Sequence, residues 1–302
     1  MTHPQHRHNH TPNYNQAFII GTSLNVSFVI IEAVFGFLTQ SLALLADAGH
    51  NLSDVLGLLL AWGASWLVQR PPSKRFTYGL RRSSILTALL NAIIFLLVMG
   101  GIAWEAIERL SSPNQVPGTT IILVAAIGVA INTVTALMFI SGRQRDLNIK
   151  GVFLHMAADA LVSLGVVLAG VAILTTGWLW FDPAISLIIV VIVVFSTWQL
   201  LQDALYLALD AVPQGIEPEA VATYLREIPG VSEIHDLHIW AMSTTETALT
   251  VHLVMPGGHP GDEFLAQTTR QLQQTFGIPH ATIQIETGNS LYPCSLAPKK
   301  QV

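Results

Sequence analysis

A single cysteine, Cys294, stands in 302 residues. That scarcity excludes an intrachain disulfide framework and any thiolate-rich metal site within one subunit, so a bound metal is expected to be held by nitrogen and oxygen. Charge is scarce as well. Only 11% of residues are Asp, Glu, Lys or Arg, against roughly 25% in an ordinary soluble domain. The formal net charge is a modest −5, and no basic stripe with interleaved aromatics is present, which argues against a nucleic-acid partner. No His-Glu-x-x-His frame occurs either. What fills the chain instead is apolar sequence, with 51% hydrophobic residues.

Hydrophobic runs long enough to cross a bilayer occupy about 17–38, 41–68, 84–106, 118–140, 152–177 and 183–205. The first is followed by five more and by no small-residue cleavage pattern, so it reads as a span rather than a removed signal. Arg70, Lys74, Arg75, Arg81 and Arg82 crowd the second connection, and Arg143, Arg145 and Lys150 the fourth. The outer connections hold Arg109 alone. Basic residues accumulate on the cytoplasmic side, which places both termini there. With no cleaved signal, a bacterial inner membrane is the expected location.

Residues 1–16 form a polar tail bearing His3, His6, His8 and His10, expected to be disordered and either a loose metal-gathering arm or a solvated tail. Composition changes near Asp210 and Pro213 to that of a small soluble domain. A helix opens at Glu217-Pro218 and closes at Pro229-Gly230, strands follow at 231–242 and 247–255, then a helix at 262–276 and a strand at 281–286. The expected fold class is thus an α-helical membrane protein, with six transmembrane helices over 17–209, a cytoplasmic α+β domain of order αββαβ over 210–290, and a flexible end at 291–302. Leu249, Val251 and Leu253 should face the helices of that domain, leaving His252, Gln284 and Glu286 together on the other face. Regular alternation would send His235 and His238 to opposite faces.

Two frames inside the spans carry the chemistry, His50-x-x-x-Asp54 and His155-x-x-x-Asp159. Positions i and i+4 share a helix face, so each frame aims an imidazole and a carboxylate the same way. Ionisable groups at mid-membrane cost roughly 2.5–3.5 kcal/mol each, so four of them in two matching frames point to a function. Two neutral imidazoles and two carboxylates suit tetrahedral Zn2+ and cancel its charge, while the lack of sulfur lets a cation leave again. Metal ligands bind deprotonated, so metal and protons compete for the same groups, which suggests proton-coupled antiport. Asp47, one turn before His50, either orients that imidazole or is a helix-packing residue facing a polar cavity. Glu32, Asn25, Asn91 and Asn132 either line a pathway or bond between helices. A zinc sensor without flux is an alternative. So is a zinc hydrolase, although four protein ligands would leave no open position for water.

Read together, these stretches resemble the cation diffusion facilitator family. The segment from Ser41 to Asp54 looks like the second-helix signature of its zinc-transporting members, and His155-Met-Ala-Ala-Asp159 like the fifth-helix counterpart. Arg75-Phe-Thr-Tyr-Gly79, His235-Asp-Leu-His-Ile-Trp240 and Thr282-Ile-Gln-Ile-Glu286 match in order. The resemblance implies homodimeric metal/proton antiporters that export zinc from the cytosol by alternating access, with a ferredoxin-like, metallochaperone-like tail domain. It implies His50, Asp54, His155 and Asp159 as the transport site. Zinc is the expected cargo, with Cd2+, Co2+, Ni2+ and Fe2+ behind it. It also maps a tail-domain metal site onto His235, His252 and Glu286, where Gln284 replaces a histidine of some relatives. His280 and His259 are candidate replacements. The loop from Gln69 to Tyr78 lacks the acid or histidine that a further site found in some relatives would need.

Overall fold

The computed structural model describes residues 15–68, 70–140, 147–289, 291 and 294–296; the histidine-bearing segment 1–14, Arg143 and Arg145 lie outside them, as do the side chains of Asp54 and Lys150. Six long helices come first: α1 (Asn15–Thr39), α2 (Leu42–Val68), α3 (Ser83–Ser111), α4 (Gly118–Phe139), α5 (Leu147–Thr176) and α6 (Phe181–Ala208). Five of them, all but α2, are long and apolar enough to cross a membrane among the described residues. α2 carries Asp47, His50 and Asp54. Large apolar side chains such as Leu38, Leu97, Leu161 and Phe195 point outward. This is the arrangement expected when the surrounding medium is hydrocarbon rather than water.

Two helices outrun their apolar segments. The last turns of α3 continue through Glu105, Glu108 and Arg109, all good helix formers. There Arg109 Nε donates to Glu105 Oε1 at 2.7 Å one turn earlier, and Nη1 donates to the Gln40 carbonyl at 2.5 Å. The start of α5 lies at Leu147, ahead of the apolar run.

The chain forms two compact units, one of residues 1–59 and 93–198, the other of 60–92 and 199–302, so α2, α3 and α6 contribute to both. In the first, Phe28, Leu44, Phe95, Met99, Ile121 and Val166 belong to one buried core. The α4 and α5 helices approach closely at Gly118 and Gly170, where an added Cβ would lie 3.0–3.1 Å from the opposing carbonyl. Small residues permit this backbone proximity without a hydrophobic drive between helices. The turn from α1 to α2 passes through Gln40 with φ 55°. Ser41 N–H donates back to the Gly36 carbonyl at 3.1 Å, closing α1. The start of α2 is capped from far away in sequence. Asp182 of α6 accepts from Ser41 Oγ at 2.5 Å and from the backbone N–H groups of Leu42 at 2.8 Å and Ala43 at 3.3 Å. This meets donors that a helix start leaves open and places a negative charge at its positive end.

The second unit contains the C-terminal α+β elements in the expected order: α7 (Pro218–Arg226), β1 (Glu233–Ala241), β2 (Thr247–Val254), α8 (Asp262–Phe276) and β3 (His280–Glu286). The sheet order is β1-β2-β3, with β1 antiparallel and β3 parallel to the central β2. Leu249, Val251 and Leu253 are fully buried and share a core with Val221 and Leu225 of α7 and Leu272 of α8. At about 1.5–3 kcal/mol for each such side chain, this face dominates the cohesion of the domain. Gly277 closes α8 in the left-handed region, at φ 69°, its N–H bonded to Gln273 O. The connection between α2 and α3 joins the same unit. Arg81 Nη1 donates to Glu246 Oε2 at 2.5 Å, Arg82 bonds Asp210, and Ser84 Oγ accepts from the Thr244 N–H at 3.1 Å.

Candidate functional site

The membrane unit brings the two frames together. His50 of α2 sets its Nε2 3.1 Å from Asp159 Oδ1 of α5, and His155 Nε2 lies 3.6 Å from Asp159 Oδ2. One carboxylate therefore faces both imidazoles, whose ring centroids are 6.2 Å apart at 72°. Asp159 is buried to 1% exposure. The i, i+4 relation within α5 aligns His155 and Asp159, and packing against α2 supplies His50. Asp54 lies one turn beyond His50 on α2, its side chain outside the described residues. Nitrogen and oxygen donors of three residues thus meet at one point. The donor types suit a divalent cation of borderline softness.

A polar layer lies behind this cluster. Asp47 Oδ2 accepts from Ser163 Oγ at 2.8 Å, and Oδ1 accepts from Asn51 Nδ2 at 3.3 Å. The same Asn51 amide donates to Glu32 Oε2 at 3.4 Å. Ser163 sits one turn after Asp159, and Asn51 next to His50, so Asp47 ties together the backbones that carry the site. Glu32 Oε1 is buried with no hydrogen-bond partner among the described residues. Asn25 Nδ2 reaches Met156 Sδ at 3.5 Å, between α1 and α5. A cleft of about 560 Å³ bounded by α1, α2 and α3, with Phe37, Leu45 and Ile102 in its walls, holds none of these ligand residues.

In the C-terminal domain a different cluster forms on the sheet face opposite the helices. His235 of β1 pairs directly with His252 of β2, and Gln284 of β3 pairs with His252 from the other side. His252 Nδ1 lies 2.9 Å from Glu286 Oε1, and His235 Nε2 lies 3.5 Å from Glu286 Oε2. A β-bulge lies between His235 and His238, with Asp236 at φ 52°. Regular alternation therefore does not hold there. His238 pairs with Thr250, is largely exposed, and bonds Asp236 at 3.0 Å. Gln284 donates to Glu286 Oε1 at 2.9 Å.

The fourth member was not anticipated. Ligand atoms of His235, His252, Glu286 and Cys294 all lie within 4.8 Å of one another, with Cys294 Sγ 3.5 Å from His252 Nδ1. The sequence led to an expectation of nitrogen and oxygen donors alone, and here the segment after β3 places one sulfur beside them. The Glu286 carboxyl is raised by burial, yet hydrogen bonds from Cys294 and Gln284 and the nearby His235 and His252 outweigh this and hold it below the usual range. Both ring nitrogens of His235 are buried without a hydrogen bond among the described residues. Nε2 of this imidazole faces the Glu286 carboxylate at 3.5 Å, where a cation could sit between them. If a metal resides here, His235, His252 and Glu286 would hold it and its charge would satisfy the buried imidazole.

A membrane helix bundle that gathers imidazole and carboxylate at one depth, followed by a small α+β domain, defines a carrier of metal cations. The chain belongs to the cation efflux, or cation diffusion facilitator, family: residues 18–207 match the cation efflux transmembrane domain and residues 213–288 the cation efflux protein cytoplasmic domain. It is 38% identical over 297 residues to the metal cation efflux system protein CzcD of Cupriavidus metallidurans, covering 98% of this chain and 93% of the relative. It is 36% identical over 289 residues to the zinc transporter ZitB of Escherichia coli, covering 93% and 92%. The cadmium, cobalt and zinc/H(+)-K(+) antiporter of Bacillus subtilis is 35% identical over 286 residues, again covering 93% and 92%. The protein is thus a multi-span metal cation efflux transporter of the zinc-related subgroup and not an enzyme. A zinc hydrolase is set aside.

Proposed function

We propose that the protein exports Zn2+ from the cytoplasm in exchange for protons, by alternating access around a site of His50, Asp54, His155 and Asp159. The carrying observation is Asp159, buried on α5, facing His50 of α2 and His155 of α5 at once. Two neutral imidazoles and two carboxylates neutralise a divalent cation, which lowers the cost of holding it in a low-dielectric interior. When the cation leaves, protons replace it on the same groups, and an inward proton gradient then drives the next exchange. Asp47 supports the site through Ser163 and Asn51.

The names of the relatives, which include zinc, cadmium and cobalt, support Zn2+ as cargo with Cd2+ and Co2+ as companions. Ni2+ and Fe2+ fit the same donors less well than Zn2+ fits a four-coordinate site. The C-terminal domain serves as the dimer contact of two copies in the bacterial inner membrane, with both termini cytoplasmic, and His235, His252 and Glu286 bind a regulatory metal there. The test is purified protein in vesicles with a pH difference across the membrane. Zinc should accumulate against its gradient and release protons in return. Metal binding with no flux in either direction would instead favour a membrane-embedded sensor.

A further inference from the structure

We propose that the cleft between α1, α2 and α3 binds one phospholipid with an ethanolamine headgroup, its acyl chain lying along the helices and its headgroup held by Arg109 and Glu105. The cleft, of about 560 Å³, lies wholly within the first compact unit. Its walls are apolar, with Phe37, Leu45, Leu52 and Ile102 among them, and the ionisable residues that line it, Glu105 and Arg109, lie together at one end. Phe37 and Val98 line it and are exposed, so it opens on the surface that faces lipid. Space remains at Gly101, where nothing lies within 4 Å of an added Cβ.

The length of the cleft matches one leaflet. From Val98 to Arg109 the α3 wall extends about 16 Å at 1.5 Å per residue, against about 15 Å for half of the hydrocarbon core. An acyl chain entering at Arg109 therefore ends near Val98 and Gly49, and Gly49 immediately precedes His50 on α2. The charged end selects the headgroup. Arg109 Nε donates to Glu105 Oε1 at 2.7 Å and Nη1 donates to the Gln40 carbonyl at 2.5 Å. A guanidinium has five N–H donors, more than these bonds use, and the others suit a phosphate. The Glu105 side chain is 45% exposed, and its carboxylate can accept from a primary ammonium. A cation and an anion side by side complement a zwitterionic headgroup. An anionic headgroup is repelled by Glu105, and a quaternary ammonium has no N–H to donate to it.

Two neighbouring glycines provide the test. Gly101 lines the cleft and Gly100 does not, and an added Cβ meets nothing within 4 Å at either. Full-length protein in detergent is stripped of lipid, offered phosphatidylethanolamine, phosphatidylglycerol or phosphatidylcholine, and weighed intact by native mass spectrometry. We expect one phosphatidylethanolamine per chain, retained in preference to the other two lipids and retained equally in Gly100→Trp. Gly101→Trp fills the cleft and should weaken binding by about tenfold or more, since displacing about two buried methylenes already does so. Glu105→Gln leaves the shape of the cleft alone and should erase the preference over phosphatidylglycerol. Equal retention of the three lipids, a preference that survives Glu105→Gln, or binding unchanged in Gly101→Trp would overturn the proposal. So would a Gly101→Trp protein that falls from dimer to monomer, because a second copy of the chain would then be what covers the cleft. The proposal needs only helices that cross a bilayer, so its failure leaves the transport reading standing.

Discussion

The two clusters use the same pair of residue types on different scaffolds. In the membrane, His50, His155 and Asp159 project from helices, one turn apart or across a helix contact. In the C-terminal domain, His235 and His252 are direct cross-strand partners, Glu286 follows on β3, and Cys294 joins them. Helices can rotate and part, so a site split between two of them can open. Three adjacent hydrogen-bonded strands cannot, so a site on their shared face persists. The difference in scaffold supports the proposed roles, transport for the helix pair and retention of a metal for the sheet.

The largest expected effect breaks that assignment if it fails. Asp159→Ala should reduce zinc flux to the level of empty vesicles, because one carboxylate serves both imidazoles, while metal binding by the C-terminal domain stays in place. Wild-type flux in this variant, confirmed folded by its elution as an intact dimer, would remove the helix pair from the transport path. Next comes the converse. His252→Ala should abolish metal binding by the C-terminal domain and lower flux less than Asp159→Ala does; equal loss in both would mean that the sheet cluster is part of the path.

Much of this was legible in sequence, and the failures have definite causes. The six helices announce themselves because apolar runs in a bilayer must satisfy their backbone within the helix. The αββαβ order is readable since Leu249, Val251 and Leu253 alternate strictly and Gly277 marks a helix end. The frames at His50 and His155 are local, so spacing alone sets their direction. What stayed hidden depends on long-range contact. Asp182 caps α2 from more than a hundred residues away, and Ser163 meets Asp47 only because α2 packs on α5. Glu32 was visible as a buried acid but had no partner until Asn51 linked it to Asp47. Cys294 lies in a polar segment with no periodic pattern, so its count, rather than its position, governed the expectation. The bulge at Asp236 is equally silent, since nothing in His235–His238 signals a left-handed aspartate.

A smaller effect sharpens the helix side of the comparison. Ser163→Ala removes a hydroxyl donor from buried Asp47 without touching any ligand. Supporting hydrogen bonds of this kind typically change metal affinity by about 10- to 100-fold, and an unmet buried acceptor costs about 1–3 kcal/mol. The half-saturating zinc concentration for flux should therefore rise within that range and thermal stability should fall, with metal binding by the C-terminal domain unchanged. An unaltered half-saturation would detach Asp47 from the site.

The smallest effect concerns the loop that joins α2 to α3. Arg81 and Glu246 form a contact at 2.5 Å, but both side chains are about one-third exposed, at 35% and 34%. Exposed pairs of this kind are screened by salt and contribute about 0–1 kcal/mol. Arg81→Ala should therefore shift the unfolding midpoint slightly at low salt and hardly at all at high salt, while zinc flux and metal binding by the sheet cluster persist. Neighbouring contacts share the work: Arg82 bonds Asp210 and Ser84 accepts from the Thr244 N–H. A large, salt-insensitive loss of flux in Arg81→Ala would show that this one contact couples the loop to transport, and the division of labour between helices and sheet would then have to include the connection between them.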